Sequence, residues 1–141
     1  IYGIELSGLK KINKFSVDGS ITLMKARDDS NKLSSADIEY RPKVQANAGL
    51  SYLDNGYKIN LNNKYVGKQT YYEYRKIYQP NNPVIRKLDD YILTDMRIEK
   101  TFKEQYSIYF NIQNLFDTDY YDMMYIPGAG RSYYIGCLTK F

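Results

Sequence analysis

Residues 43–65 read KVQANAGLSYLDNGYKINLNNKY, two alternating runs joined by Leu53-Asp54-Asn55-Gly56. In the first run Val44, Ala46, Ala48, Leu50 and Tyr52 share one face, against Lys43, Gln45, Asn47 and Ser51. In the second, Tyr57, Ile59, Leu61 and Tyr65 oppose Lys58, Asn60, Asn62 and Lys64. A period of two is that of a strand, and Asn-Gly accepts the positive φ angles of a tight hairpin turn, so the stretch predicts an antiparallel pair. Working outward, the same period recurs until about seven such segments are found. Tyr2, Ile4, Leu6 and Gly8 alternate with Gly3, Glu5 and Ser7; Phe15, Val17, Ile21 and Leu23 alternate with Ser16, Asp18, Ser20 and Thr22. Beyond the quoted pair, Ile92, Thr94, Met96, Ile98 and Phe102 oppose Asp95, Arg97 and Glu99. Tyr106, Ile108, Phe110 and Ile112 oppose Ser107, Tyr109, Asn111 and Gln113. The last segment, Arg131 to Phe141, carries Tyr133, Ile135, Cys137, Thr139 and Phe141 on one face, and Leu138 interrupts the polarity of the other.

The connections alternate in length. Short ones are expected at 10–14, 53–56 and 102–105, and long polar ones at 28–41, 69–87 and 117–130. The stretch 69–87 holds Pro80 and Pro83 and is expected not to pair continuously. Strict alternation of short turns with long loops is the topology of a transmembrane meander, whose two ends face different compartments. The faces agree with it. Glu5, Asp18, Lys43, Lys58, Asp95, Arg97 and Glu99 would be costly in a dry soluble core but suit a wet lumen, which leaves hydrocarbon for the apolar face. The expected fold is therefore all-β, an antiparallel transmembrane β-barrel meander of about seven strands belonging to a larger barrel.

Composition fits. The chain has 141 residues, 43% hydrophobic and 26% charged, which excludes a disordered tail. Its 17 tyrosines exceed the needs of a soluble core, and they suit strand surfaces at a membrane boundary. No run of roughly 18 apolar residues is present, so a transmembrane helix is excluded, while barrel strands need only about 9 to 11 residues. A mean hydropathy of -0.58 is compatible with half-polar strands. The net charge of +4 does not point to nucleic acid, because basic and acidic residues are interspersed without a basic stripe. Cys137 stands alone and there is no histidine, so no metal, cofactor or disulfide is implied, and acid–base or nucleophilic catalysis lacks its usual groups. The chain opens on Ile1 with neither Met nor a leader, so it is expected to begin inside a longer polypeptide.

Asn114-Leu115-Phe116-Asp117, then Asp119-Tyr120, Pro127-Gly128-Ala129-Gly130-Arg131 and a last aromatic-rich strand to Phe141 resemble the C-terminus of TonB-dependent outer-membrane receptors. Tyr2-Gly3-Ile4-Glu5-Leu6, Arg41-Pro42-Lys43 and Tyr65-Val66-Gly67 resemble that family at fitting separations, so the likeness covers nearly the whole chain. Ala129 and Thr139 depart from the usual pattern locally. From the residues alone, Asn114 to Asp117 read as a strand-ending corner, Gly128 and Gly130 as turn residues, and Arg131 as a loop ion-pair former or an anion contact.

The resemblance implies a bacterial outer-membrane location and active transport of a scarce nutrient chelate, of the iron-siderophore or cobalamin type. It implies a complete barrel of about 22 strands with an N-terminal plug domain, absent from residues 1–141. The implied partners are membrane lipid and lipopolysaccharide, the rest of the barrel with its plug, TonB acting through that plug, the nutrient chelate and the barrel-assembly machinery. That machinery is expected to read the last strand, with Tyr133, Ile135 and Phe141 as its signal, because an unpaired strand offers N–H and C=O groups for augmentation. Ligand contacts are expected on the long loops, at Tyr72, Tyr74, Tyr78, Tyr121, Tyr125 and Arg131, since tyrosine clusters stack on planar ligands. An odd meander cannot close antiparallel by itself, so the segment is expected to be completed by further strands. The rival readings are a non-transporting structural or adhesion barrel and a soluble lipocalin-like barrel with an apolar interior.

Overall fold

The computed structural model describes residues 1–28, 36–73 and 84–140. Among these residues thirteen strands follow one another: β1 (Tyr2–Ile12), β2 (Phe15–Lys25), β3 (Arg27–Asp28), β4 (Ala36–Asp37), β5 (Val44–Asp54), β6 (Tyr57–Val66), β7 (Gln69–Glu73), β8 (Val84–Leu88), β9 (Tyr91–Phe102), β10 (Tyr106–Gln113), β11 (Tyr121–Met123), β12 (Ile126–Pro127) and β13 (Ser132–Thr139). Seven of them make one sheet in the order β1-β2-β5-β6-β9-β10-β13, antiparallel throughout. The remaining six form three two-stranded hairpins, β3–β4, β7–β8 and β11–β12, one in each long connection.

The register carries the sidedness across the whole sheet. One transverse row runs Val17–Leu50–Leu61–Met96–Ile112–Tyr133, and the next runs Phe15–Tyr52–Ile59–Ile98–Phe110–Ile135. On the opposite face lie Ser16–Ser51–Asn60–Arg97–Asn111–Tyr134 and Asp18–Gly49–Asn62–Asp95. A one-residue slip anywhere would exchange the two sets, so the alternation fixes every pairing. The aliphatic face has no core behind it. Leu50 is 43% exposed and Phe110 39%, and the buried apolar residues among those described are Ala26, Val66, Tyr71, Leu88, Tyr91 and Ile112. Apart from Ile112, these cluster toward the long-loop end. Among the described residues nothing packs behind the large apolar face, the arrangement expected of a strand surface turned to hydrocarbon.

The turns follow local chemistry. Asn55 and Gly56 have φ of 46° and 74°, the left-handed pair that a two-residue hairpin requires. The first turn is tighter than the sequence suggests. β1 continues through Lys10, Lys11 and Ile12, and only Asn13 (φ 54°) and Lys14 turn, because Asn tolerates that conformation and leaves the lysines in the ladder. The stretch 69–87, expected not to pair continuously, does pair at its two described ends. Gln69–Glu73 pairs in register with Val84–Leu88, so the hairpin continues five residues beyond the sheet, while Pro80 and Pro83 lie outside the described residues.

Polar residues interrupt the apolar face at two kinds of position. Near the short turns, Lys100 reaches back so that its Nζ donates to the Asn55 carbonyl at 2.7 Å and sits 3.7 Å from the Tyr57 ring centroid. A lysine stem lying on apolar surface with its head at the boundary is the usual solution for such a site. Mid-sheet, Asn63 occupies an apolar-face position opposite Ala48 and Thr94, and the Thr94 hydroxyl donates to its Oδ1 at 2.8 Å. The register is unbroken through Asn62 and Asn63, so Asn62 stays on the polar face beside Lys64 while Asn63 is a polar residue on the apolar one.

Candidate functional site

The three hairpins are knitted together at the long-loop end. Tyr40, in the left-handed region (φ 54°), turns its amide to the Thr70 carbonyl at 2.9 Å and its ring onto Tyr71, with centroids 6.1 Å apart and planes within 7°. The Tyr72 amide donates to Glu39 Oε1 at 2.6 Å, and the Tyr72 hydroxyl to the Asp37 carbonyl at 3.0 Å. Asp37 in turn holds Lys43 at 2.8 Å, and that hydrogen-bonded ammonium keeps its carboxyl below the ordinary carboxylate range. Arg86 binds Glu73 across the β7–β8 hairpin at 3.1 Å.

The last long connection is anchored from both ends. Asn114 is buried with φ 50°; its Nδ2 donates to the carbonyls of Thr118 and Ala129 at 3.0 and 3.2 Å, and its Oδ1 accepts from the Thr118 amide at 2.8 Å. One side chain thus ties both limbs of the loop. Asp117 completes the base, accepting from the Arg131 amide at 2.8 Å and lying 3.5 Å from its guanidinium. Further out, the Tyr91 hydroxyl donates to Asp122, and the Tyr91 and Tyr120 rings meet at 4.7 Å.

Two cavities flank Tyr91. The first, about 410 Å3, is lined by Arg41, Gln45, Lys64, Tyr91, Asp122 and Met123 among others. Gln45, Val66 and Tyr91 are in register on the polar face, so this cavity opens on that face at its long-loop end. The second, about 380 Å3, lies among Tyr71, Lys87, Asp89, Tyr120 and Tyr121. A larger depression of about 530 Å3, between Phe15, Leu50, Tyr52, Ile59, Leu61 and Met96, sits on the aliphatic face. Farther down the polar face, Arg97 binds Glu99 at 2.9 Å and stacks 3.8 Å from the Tyr109 centroid, while Asp95 accepts from the Asn114 amide at 2.9 Å. Among the described residues no group of three His, Cys, Asp or Glu is placed to hold a metal ion.

A profile of the family described as "TonB dependent receptor-like, beta-barrel" matches residues 1–115. The chain belongs to that family of receptor barrels. Its fold agrees with that of the ferric-catecholate import receptor Fiu of Escherichia coli K12, at 21% identity and TM-score 0.75 over 99% of this chain and 20% of Fiu. The ferripyoverdine receptor FpvA of Pseudomonas aeruginosa gives 21% identity and TM-score 0.77, covering 99% of this chain and 19% of FpvA. The ferric enterobactin receptor PfeA of the same organism gives 14% and 0.79, covering 99% and 22%. The chain spans about a fifth of the length of these receptors. No curated protein sequence matches it.

As a receptor barrel the chain resides in the bacterial outer membrane. Its short turns are periplasmic, its long loops extracellular, and its polar face lumenal. The first cavity is therefore at the extracellular mouth of the lumen. Of the residues expected to meet ligand, Tyr121 borders the second cavity and Tyr125, 79% exposed, tips the β11–β12 hairpin. Tyr72 is committed to Asp37 and Glu39, and Arg131 to Asp117. Tyr74 and Tyr78 lie outside the described residues, as does Phe141. Tyr133 and Ile135 project from the lipid face of β13, whose outer edge pairs with nothing described. Sequence reasoning missed Arg41, Lys64, Tyr91 and Asp122. Lys64 had a usable signal, a polar-face position in the last turn-to-loop step of its strand; Asp122 had none, because its contact depends on how the loop folds back.

Proposed function

We propose that residues 1–141 are the C-terminal barrel segment of a TonB-dependent outer-membrane active transporter for a scarce nutrient chelate, of the iron-siderophore or cobalamin-like kind. The remaining strands and the plug are contributed from upstream, and TonB acts through that plug. The observation that carries this reading is a polar lumenal wall opening into a built cavity at its extracellular end, rather than a wall sealed by packed side chains. The family match and the names of the neighbours support it: Fiu is an import receptor for ferric catecholates, FpvA a ferripyoverdine receptor, and FrpB of Neisseria meningitidis an iron transporter.

Ligand meets the loops through exposed aromatics, with Tyr121 and Tyr125 better disposed than Tyr72 or Arg131, and with Tyr74 and Tyr78 further along the same hairpin connection. The assembly machinery docks on the edge of β13, with Tyr133, Ile135 and terminal Phe141 as the recognised residues. The test is uptake of radiolabelled ferric chelates by cells starved of iron. Uptake that disappears both when the full-length receptor is deleted and when TonB is inactivated supports transport. Uptake indifferent to both, with normal outer-membrane levels of the receptor, favours a structural barrel instead.

A further inference from the structure

The depression on the lipid face has a polar end. Two transverse rows line it, Phe15–Tyr52–Ile59 and Leu50–Leu61–Met96, enclosing about 530 Å3. The next row toward the periplasm changes character and runs Asp54–Tyr57–Lys100. Lys14 joins that row from the β1–β2 turn, its Nζ 2.9 Å from Asp54 Oδ2, which also accepts from the Tyr52 hydroxyl at 3.2 Å. Lys100 stands on the other side of the Asn55-Gly56 turn, held by the Asn55 carbonyl and the Tyr57 ring. The turns are sewn to their neighbours, the Leu53 amide donating to the Lys14 carbonyl and the Thr101 amide to the Gly56 carbonyl, each at 2.8 Å. Two ammonium groups are thus held in place at the periplasmic end of an apolar hollow, where hydrocarbon gives way to water. The hollow lies on β2, β5, β6 and β9, inner strands of the sheet, so strands added beyond β1 or β13 widen the wall without covering it.

We propose that this hollow binds one anionic phospholipid of the periplasmic leaflet, with an acyl chain lying between the two apolar rows and the phosphate between Lys14 and Lys100. The apolar rows supply burial for the chain, and the polar row selects the headgroup. Asp54 is the one acid in that row, and Lys14 and the Tyr52 hydroxyl already share it, so the two lysines leave a net positive charge that favours a headgroup of net negative charge. The reading needs the barrel's place in the membrane and is independent of what the barrel carries.

The experiment is native mass spectrometry of the full-length receptor in detergent, titrated with phosphatidylglycerol and with phosphatidylethanolamine of the same acyl chains. Wild type is expected to retain one phosphatidylglycerol in preference. Lys14→Gln and Lys100→Gln should each weaken its retention about fivefold and leave phosphatidylethanolamine nearly unchanged, while Lys14→Arg and Lys100→Arg keep the preference. Leu50→Trp fills the hollow on a face with no core to disturb, and should weaken both lipids with the lysines intact. Lys25→Gln removes a lipid-face lysine at the opposite end of the wall, beside Tyr2, and should change nothing. The proposal is overturned if wild type holds the two lipids alike, if the double glutamine variant keeps the wild-type preference, or if Leu50→Trp binds as wild type does. Preferential retention of lipid A over phosphatidylglycerol also overturns it, since that lipid belongs to the outer leaflet. TonB-dependent uptake is scored separately, so failure here leaves the transport reading standing.

Discussion

Tyr120 covers Gly128: the Gly128 amide donates to the Tyr120 carbonyl at 2.8 Å, and the tyrosine ring occupies the space in which any Cβ on residue 128 would lie. The glycine of the Pro-Gly-Ala-Gly-Arg turn is thus fixed by a ring, and not by its own backbone angle. Gly128→Ala should force the ring aside and with it the Tyr91–Tyr120 contact, an overpacking cost of about 1–3 kcal/mol in the loop. Hydrogen exchange of residues 118–130 in the full-length receptor is expected to accelerate while the barrel strands stay protected. Unchanged exchange in that loop would refute the role given to the ring.

The second expectation concerns the two faces. Leu61 lies mid-strand between Leu50 and Met96 on the lipid side, and its neighbour Asn60 lies between Ser51 and Arg97 on the lumenal side. Leu61→Arg should cost about 2–4 kcal/mol of folding free energy in lipid vesicles, as for a cation near the bilayer midplane. Asn60→Arg should cost little, apart from mild repulsion by Arg97. Equal costs for the two would remove the sidedness on which the whole assignment depends.

Much of this was legible in the residues, because a period of two is simultaneously the pleat of a strand and the sidedness of a membrane wall. The seven sheet strands, their order and the Asn55-Gly56 turn follow from that period. What escaped was local. Lys10 and Lys11 read as a turn, though a ladder position tolerates a lysine whose head reaches water. The β7–β8 pairing was hidden because the stretch between its ends holds two prolines, which argue against a strand through the whole stretch. The Asn114–Asp117 corner was readable as a corner, but the partners of Asn114 at Thr118 and Ala129 require a loop whose return path no short-range pattern encodes.

Asp117 gives a pH prediction. Its carboxyl is held below the ordinary range first by the hydrogen bond from the Arg131 amide, then by the Arg131 guanidinium. A group with a depressed folded pKa contributes stability above its unfolded value, about 3.9, and loses it as pH falls through the lower folded value. The loop base should therefore be insensitive to pH from about 5 to 8 and loosen only below about 4. Exchange of the Arg131 amide reports this directly. In Asp117→Asn, whose side chain carries no charge, the acid-induced step should vanish and the neutral-pH protection should be lower; a step that persists in that variant would assign it to another group.

Arg97 and Gly136 are linked through a third side chain. Tyr109 pairs with Gly136 across β10–β13 and its ring fills the space over that glycine, while the guanidinium of Arg97 lies 3.8 Å from the same ring and Glu99 grips the guanidinium at 2.9 Å. The four residues make one stack on the lumenal wall beside the last strand. Gly136→Ala should push the ring outward and disturb the cation–π contact, costing about 1–3 kcal/mol, whereas the same change in a Tyr109→Leu background should cost less, because no ring is left to displace. A double-mutant cycle read by urea unfolding of the receptor in vesicles is expected to give a coupling of about 0.5–1.5 kcal/mol. Strict additivity would mean that the glycine is there for the backbone alone, and that β13 is held to the wall by its ladder without help from the stack.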